Sequence, residues 1–323
     1  MPSGATVCAV VVNWNRPGDT VECIRSLSRG GVDGLPVIVV DNGSNDDSVS
    51  RITSECPGVE LQRVESNLGY TKGANVGLRL ALARDPDFVF FINNDAVVGD
   101  QCLRELMDAL DRHTDSGLAG PKILYYDKDL VWFAGGAFNK YLGYSSHPGM
   151  DEPDDGDGKE GQVDYITGCA LLVRRELIER IGGFDEDFAM YAEDVEYGMR
   201  ARANGYRSLY VPTALVRHKV SSSAGVPGSN TMTPRRSFAY ARNMLILALK
   251  CIPWPRKFTC FLGQFLVALP YHSYLICSQN VKGSLTAYYR GILSGLRWAV
   301  NRQPASSSLG LAVEPHPEAA KGR

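Results

Sequence analysis

The sequence predicts an α/β fold with a mostly parallel central sheet and flanking helices. Residues 7–125 alternate short β-branched runs with helical patterns, as expected where a crossover helix follows each strand. Each predicted strand ends in polar residues, which is typical of a ligand crevice at the carboxyl edge of a parallel sheet. Basic and apolar segments after residue 232 predict an additional helical region. With 323 residues, of which 44% are hydrophobic, the chain has enough apolar material for a sizeable core.

The first part of the chain is predicted to contain four strands joined by three helices. β-branched and aromatic residues are dense in the four predicted strands, 7–13, 36–41, 59–64 and 87–92. Each predicted helix begins near a residue suited to capping its amino terminus; the three helices are Asp19–Arg29, Asp46–Glu55 and Thr71–Ala83.

A second ordered block follows the acidic, Gly/Pro-rich segment 149–162, which we interpret as a surface loop. The stretch 165–188 is predicted to form a strand, a helix and a turn. Residues 191–207 are predicted to form a helix that Gly205 closes. The polar, Ser/Pro-rich tail 304–323 is expected to be disordered.

Cysteine use and the amino-terminal sequence point to a reducing compartment. The eight cysteines form no C-x-x-C pair and no cluster with histidine, so the pattern predicts neither a zinc site nor a disulfide framework. Residues 1–15 lack a basic leader and a clean cleavage site, and we interpret them as leading into the first strand. We therefore expect a cytoplasmic protein.

Charge is distributed unevenly along the chain although the net charge is only −2. No Asp or Glu occurs between Glu196 and Glu314, whereas residues 197–302 carry fifteen Lys or Arg. Such asymmetry indicates a polyanionic partner, which is either a nucleic acid or an anionic membrane surface.

Long apolar runs among these basic residues favour the membrane over a nucleic acid. The run 258–277 has about the length of a bilayer span, but it contains Gln264, Pro270 and His272. An interfacial or re-entrant helix is therefore favoured over a spanning one. The alternative is a buried helical hairpin in a soluble protein.

Four polar clusters stand at the predicted strand ends, and together they predict a nucleotide-sized polar crevice. The clusters are Asn13-Trp14-Asn15, Asp41-Asn42-Gly43-Ser44, Asn67-Leu68-Gly69-Tyr70 and Asn93-Asn94-Asp95. Each by itself is equally typical of an ordinary turn. The turn NWNRPGD after the first strand has no G-x-G-x-x-G, and the chain has no P-loop motif, which disfavours dinucleotide and P-loop chemistry. Without a glycine-rich cradle a diphosphate needs another counter-charge, and Mg²⁺ or Mn²⁺ held by Asp95 would supply it.

Two further polar positions are candidates for catalysis or metal binding. Glu193 and Asp194 open a predicted helix, where a carboxylate is either a general base at a pocket rim or a plain capping acid. His218 is either a metal ligand or an ordinary surface histidine.

Six ordered motifs within about residues 6–220 resemble the family 2 inverting glycosyltransferases, which have a GT-A fold. The motifs are VVVNWNRP, VVDNGSNDDS, NLGYTKGANVGL, FINNDAVV, TGCALLVRR and GGFDEDFAMYAEDVEYGMR. Within the family, the chain is most similar to bacterial rhamnosyltransferase-type enzymes that build surface polysaccharides. The basic apolar tail after residue 235, including Arg242 and Asn243, is also similar to tails in that group.

The resemblance implies a role for each residue that matches a family motif. Asp194 is implied as the catalytic base, with Asp95 and His218 binding a divalent cation. Asn93 stands where the family's D-x-D motif has its first Asp. The implied donor-binding residues are Asn13, Asn15, Asp41, Asn67, Gly69, Asn75 and Asn94. The implied acceptor-binding residues are Thr167, Gly168 and Glu193.

The resemblance also implies a domain organisation. A GT-A domain is expected at 1–232, with its nucleotide-sugar half at about 1–125 and its acceptor half at about 126–232. A helical membrane-associating region is expected at 233–303, so the enzyme would lie peripherally on the inner face of the cell membrane.

The implied reaction moves a sugar, with rhamnose from dTDP-rhamnose as the first choice, to a hydroxyl of a glycan or polyprenyl-diphosphate-linked acceptor. UDP-hexoses, GDP-sugars and UDP-galactofuranose stay open as donors, and so does the oligomeric state. No nucleic-acid partner is expected. The competing hypotheses are a non-catalytic nucleotide-sugar-binding scaffold and a nucleotidyltransferase, for which the chain lacks the early Gly-rich loop.

Overall fold

A ten-stranded mixed sheet forms the centre of the computed structural model, which describes residues 5–156, 158–220 and 230–301. The strands of the chain are β1 (Val7–Asn13), β2 (Val37–Asn42), β3 (Glu60–Val64), β4 (Phe88–Asn93), β5 (Ala96–Val98), β6 (Ser116–Tyr125), β7 (Val131–Phe133), β8 (Ala137–Asn139), β9 (Tyr144–Ser146), β10 (Gly161–Val163), β11 (Ala170–Arg174) and β12 (Arg207–His218). The strand order is β10-β12-β6-β11-β4-β1-β2-β3, with β5 beside β12 and β7 beside β6. Strands β8 and β9 pair separately as a small antiparallel ladder.

Helices flank the sheet and continue beyond it at the carboxyl-terminal end. They are α1 (Pro17–Leu27), α2 (Ser48–Glu55), α3 (Tyr70–Leu82), α4 (Cys102–Arg112), α5 (Arg175–Ile181), α6 (Glu193–Ala203), α7 (Pro234–Cys251), α8 (Arg256–Gly263), α9 (Leu269–Gln279) and α10 (Ser284–Val300). A π-helical turn, Gln264–Ala268, joins α8 to α9.

The parallel half of the sheet confirms the predicted α/β architecture. Strands β3, β2, β1 and β4 are neighbours and run parallel. In this register Asn13 lies opposite Asp41, and Val12 lies opposite Asn93. The polar strand ends therefore meet at one edge of the sheet, as the sequence predicts. The first four strands and three helices begin and end within two residues of their predicted bounds.

The helix predicted at 191–207 is shorter than expected, since α6 spans Glu193–Ala203. Tyr191 and Ala192 have left-handed backbone conformations, with φ of 69° and 67°, and cannot continue a right-handed helix. At the other end Gly205 also has positive φ, and the chain enters β12 at Arg207. The sequence pattern did not reveal the left-handed pair, because neither residue type favours that conformation.

Strand β12 places His218 beside Asp95, and both are candidate site residues. It runs parallel to β6 for most of its length, and its last residues pair antiparallel with β5. In that register His218 lies opposite Ala96, and the backbone N–H of Lys219 donates to the carbonyl of Asp95 at 3.0 Å. Residues 95 and 218 are thereby brought together although they are far apart in sequence.

The main hydrophobic core extends past the predicted domain boundary at residue 232. Met244, Ile246 and Leu247 of α7 belong to the same buried cluster as β1, β2 and β4. The first helix of the predicted membrane-associating region 233–303 is therefore part of the packing of the α/β domain. The predicted disordered tail 304–323 lies outside the described residues.

Ion pairs within the fold neutralise part of the charge asymmetry. Among the described residues, six of the basic residues in 197–301 pair with carboxylates, most of which lie in the acidic part of the chain. Lys219 bonds to both Asp19 and Glu22, at 2.6 Å each. Much of this charge therefore joins the two parts of the chain to each other.

One helical stretch among the described residues, Arg256–Gln279, has the length and apolar character to cross a membrane. It comprises α8, the π-helical turn and α9, and only 22% of its most apolar window is buried. Gln264 in its middle donates hydrogen bonds to the carbonyls of Gly143 at 3.1 Å and Met244 at 2.8 Å. These bonds tie the stretch to the α/β domain and α7.

Candidate active site

A cavity of about 560 Å³ opens where the strand ends, the amino terminus of α6 and the first turns of α7 meet. Known ligand pockets are roughly 300–1,000 Å³ in volume, so this cavity suits a nucleotide-sized molecule. Eight of the sequence-predicted site residues line it: Asn67, Asn94, Asp95, Thr167, Gly168, Glu193, Asp194 and His218. The structure thus gathers both carboxylates of α6 and the Asp95–His218 pair around one space.

Asp95 and His218 form a buried pair in this cavity. His218 Nε2 lies 3.1 Å from Asp95 Oδ1, and both side chains are less than a tenth exposed. Burial lowers the pKa of His218, but interactions with Cys169 and Asp95 outweigh it and raise the pKa to about 10. The Asp95 carboxylate therefore favours the protonated form of His218.

The pair fits a divalent cation that takes its other ligands from elsewhere. Within the described ranges no group of three or more His, Cys, Asp or Glu is arranged to hold a metal ion. One carboxylate and one imidazole suit Mg²⁺ or Mn²⁺ when phosphate oxygens and water complete the coordination. A bound cation would displace the proton of His218, since a coordinating imidazole must be neutral.

Asp194 is held by backbone donors at the amino terminus of α6. Its Oδ2 accepts from the Gly168 N–H at 3.1 Å, and its Oδ1 accepts from the Val195 N–H at 2.8 Å. Burial raises the pKa of Asp194 above its ordinary value, although these hydrogen bonds and one with the Thr167 side chain oppose the rise. The result is an oriented carboxyl group whose proton affinity is higher than that of an exposed aspartate.

Glu193 shares this environment but lacks the same support. Its side chain is buried, and Oε2 has no hydrogen-bond partner among the described residues. Burial, together with the neighbouring Asp194, raises the pKa of Glu193 well above its usual value. An unpaired buried carboxyl oxygen costs stability, so a ligand hydroxyl that bonds to it would be favoured.

The turn before α6 is strained and is held in place from two sides. Non-glycine residues with positive φ cost about 1–3 kcal/mol each, and Tyr191 and Ala192 are two in succession. Asn243 of α7 donates from Nδ2 to the carbonyls of Met190 at 2.7 Å and Tyr191 at 2.8 Å. On the other side, the Tyr70 N–H of α3 donates to the carbonyl of Ala189 at 2.8 Å.

The ends of β1 and β2 are joined by a buried hydrogen-bond network. Asn13 Nδ2 donates to Asp41 Oδ1 at 2.8 Å and to Ser44 Oγ at 3.1 Å. Thr20 Oγ1 donates to Asn13 Oδ1 at 2.6 Å and accepts from Asn94 Nδ2 at 3.1 Å. Asn13 and Asp41 are fully buried and do not line the cavity, so they support the cavity wall from beneath.

Three more of the predicted donor-binding residues also lie outside the cavity lining. Asn15 receives a hydrogen bond from the backbone of Asn45 at 3.2 Å. Gly69 has φ of 86° and lies against Ala189, where a Cβ would be 3.1 Å from the carbonyl oxygen. Asn75 bonds to both backbone groups of Phe184, at 2.8 and 2.9 Å, and so anchors the segment that leads to α6.

A comparison with known protein families identifies the family to which the chain belongs. The family model described as glycosyltransferase like family 2 matches residues 3–245. The chain belongs to this family. The resemblance predicted from the six motifs is therefore confirmed, and the match includes the first two thirds of α7.

Curated relatives of this glycosyltransferase include rhamnosyltransferases. It is 30% identical over 252 residues to the N-acetylglucosaminyl-diphospho-decaprenol L-rhamnosyltransferase of Mycobacterium tuberculosis, covering 72% of this chain and 82% of the relative. It is 23% identical over 222 residues to the O-antigen chain rhamnosyltransferase RfbN of Salmonella typhimurium, covering 68% and 65% of the two chains.

Solved structures show the same GT-A fold. The crystal structure of Staphylococcus aureus TarS 1–349 matches with a TM-score of 0.57 at 17% identity, covering 92% of this chain and 81% of TarS. GalNAc-T7, crystallised with UDP, GalNAc and Mn²⁺, matches with a TM-score of 0.59 at 14% identity, covering 85% and 58%.

Several residues of the glycosyltransferase's cavity were not predicted from the sequence. Helix α7 contributes Arg235, Arg236, Tyr240 and Met244, and other walls contribute aromatic residues such as Trp132. The sequence signal for α7 was its basic and apolar composition, which we assigned to membrane association. Its proximity to α6 depends on tertiary packing that no local pattern encodes.

Replacing Asn243 with Ala should impair the positioning of α6. The two carbonyls would lose their partner, which costs about 1–3 kcal/mol of stability, and turnover should fall up to about 10²-fold with little change in donor KM. The measurements are the kcat–KM split and amide hydrogen exchange of residues 189–193, which should become faster.

Leu247→Ala is the matched control, because it weakens α7 packing without removing a bond to the turn. If both variants exchange equally at 189–193 and turn over equally per folded molecule, Asn243 has no positioning role.

Proposed function

We propose that the protein is an inverting, metal-assisted glycosyltransferase that moves rhamnose from dTDP-rhamnose to a hydroxyl of a lipid-linked glycan acceptor, with Asp194 as general base. The observation that carries the proposal is the oriented Asp194 carboxylate, which shares one cavity with Asp95 and His218. The sugar and acceptor are suggested by the name of the M. tuberculosis relative, a rhamnosyltransferase acting on a decaprenyl-diphosphate-linked sugar.

Asp194 performs the proton transfer in the proposed mechanism. Its carboxylate accepts the proton of the acceptor hydroxyl as that oxygen bonds to the anomeric carbon. The bond between this carbon and the diphosphate breaks on the opposite face, so the configuration inverts and the nucleoside diphosphate leaves with the bonding pair. The raised pKa of Asp194 brings the base closer to neutral pH than an exposed aspartate, which suits general-base catalysis.

The other site residues bind and orient the substrates. Asp95 and His218 would hold a divalent cation that neutralises charge on the leaving diphosphate. Asn67 and Asn94 line the cavity on the side of the strand ends and serve the donor. Thr167, Gly168 and Glu193 lie around Asp194 and serve the acceptor. Asn13, Asn15, Asp41, Gly69 and Asn75 act through the shape of the cavity walls.

The carboxyl-terminal helices are proposed to attach the enzyme to the inner face of the cell membrane. Trp254, Leu266 and Tyr274 are each at least 70% exposed, which is unusual for large apolar side chains in water. Arg256, Lys257, Lys282, Arg290 and Arg297 form no ion pair among the described residues, so their charges are available to anionic headgroups.

Asp194→Asn should lower kcat by about 10²- to 10⁴-fold and leave nucleoside diphosphate binding unchanged. The measurement is dTDP release from dTDP-rhamnose with a prenyl-diphosphate-linked acceptor. In the unmodified enzyme kcat should fall as the pH decreases through the raised pKa of Asp194, because the protonated base is inactive. Glu193→Gln is the neighbouring comparison and should retain more activity; the reverse ranking would assign the base to Glu193.

Asp95→Ala should remove the metal-dependent part of nucleotide binding. In thermal unfolding with UDP, dTDP or GDP, each with and without Mn²⁺, one nucleotide plus Mn²⁺ should stabilise the protein, by about 2.7 kcal/mol at one hundred times its Kd. Asp100→Ala, which changes an exposed aspartate, should keep the stabilisation. Equal stabilisation of the unmodified protein, Asp95→Ala and Asp100→Ala would contradict a metal role for Asp95.

The double variant Leu266→Glu, Tyr274→Glu should lose binding to vesicles that contain anionic lipid, since it places charges in the exposed apolar face. Cosedimentation with such vesicles measures the bound fraction. Ser54→Glu, Gln62→Glu adds the same charge on the surface near β3 and should still bind. If the first double variant sediments like the unmodified protein, these helices are not the membrane-binding surface.

A further inference from the structure

The first turn of α7 presents two adjacent arginines to the cavity. Arg235 and Arg236 both line it. The Arg235 guanidinium lies 5.1 Å from the centre of the Trp14 ring, and that of Arg236 lies 5.6 Å from the centre of the Tyr191 ring. Both aromatic residues also line the cavity. The rings orient the two guanidinium groups without neutralising them.

Neither arginine forms an ion pair with a carboxylate in the part of the chain that the structure describes. Arg236 donates only long hydrogen bonds, of 3.4 Å, to Asn230 Oδ1. By contrast, Lys219 and Lys250 each bond to two carboxylates. The cationic groups of Arg235 and Arg236 thus remain available to an anionic ligand.

The position of the arginines on α7 adds to the positive potential. The helix has 18 residues, Thr233 caps its amino terminus, and its first turn contains no acidic residue. The positive end of the helix dipole and both side chains therefore act in the same region.

Carboxylates that belong to the site lie within electrostatic range of the same region. Burial raises the pKa of Tyr191; Arg236 and Arg235 lower it, while Glu193 and Asp95 raise it. Tyr191 thus interacts with both the arginines and the carboxylates. A ligand that reaches both the arginines and the carboxylates can have its anionic part near α7 and its reacting part near α6.

We propose that Arg235 and Arg236 form a diphosphate-binding subsite of the cavity. The inference rests on the proposed function, in which both substrates carry a diphosphate. Guanidinium groups present paired N–H donors that match phosphate oxygens, and both arginines line one cavity. The ligand is either the nucleoside diphosphate of the donor or the prenyl diphosphate of the acceptor, and binding measurements distinguish them.

The test is calorimetric titration of the full chain with dTDP, UDP and GDP in the presence of Mn²⁺, and with geranyl diphosphate. The double variant Arg235→Ala, Arg236→Ala should raise the Kd of either the nucleoside diphosphates or geranyl diphosphate by about 10- to 100-fold. Each hydrogen bond to a charged group typically contributes about tenfold or more. The double variant Arg202→Ala, Arg207→Ala removes the same charge from exposed positions outside the cavity lining and should leave each Kd within about twofold. Thermal unfolding of both variants checks that they are folded.

The outcomes separate the subsite from the proposed function. Weakened nucleotide binding assigns the arginines to the donor, and weakened geranyl diphosphate binding assigns them to the acceptor. If the unmodified protein binds a diphosphate and the arginine variant binds it within about threefold, the subsite is overturned while the proposed function stands. If geranyl diphosphate binds through the arginines but no nucleoside diphosphate binds, the subsite stands and the proposed donor chemistry fails. Binding of neither class overturns both.

Discussion

The strained turn at Tyr191 and Ala192 is the constraint on which the candidate site depends. Its two left-handed residues set the direction in which α6 begins and so determine where Glu193 and Asp194 point. Such a conformation persists only when its surroundings hold it. Here Asn243 of α7 bonds to the carbonyls of Met190 and Tyr191, and Tyr70 of α3 bonds to the carbonyl of Ala189. The Asp194 carboxylate is therefore positioned by helices that lie far apart in the sequence.

The pairing of β12 with β5 is the second structural requirement. It brings His218 to Asp95, and both residues line the cavity. Both members of this pair are buried, so their charges interact in a medium that screens them poorly. The glycosyltransferase thus combines a polar edge of the parallel sheet with a buried pair in which β12 supplies His218.

The carboxyl-terminal helices differ in how they pack against the α/β domain. Helix α7 lies in the main core and lines the cavity, whereas α8 and α9 expose large apolar side chains. Gln264 lies between α8 and α9 and connects them to α7, because its amide donates to the carbonyls of Met244 in α7 and of Gly143. A polar side chain committed to the protein in this way fits a helix lying along a membrane surface better than one crossing it. Helices α8 and α9, which expose apolar side chains, are thereby linked to the helix that lines the cavity.

The sequence by itself determined the parallel half of the sheet, the edge where ligands collect and the family, because periodicity and strand-end polarity are local properties. It also singled out Asp95, Asp194 and His218, which the structure gathers in one cavity. The tertiary structure decided that Asn13, Asp41 and Asn75 lie behind the cavity wall, since hydrogen bonds to neighbouring strands and loops turn them inward. It also decided that α7, identified by its charge and apolar content, forms a wall of the cavity. Contacts between segments so distant in sequence arise from packing, which no single stretch of residues encodes.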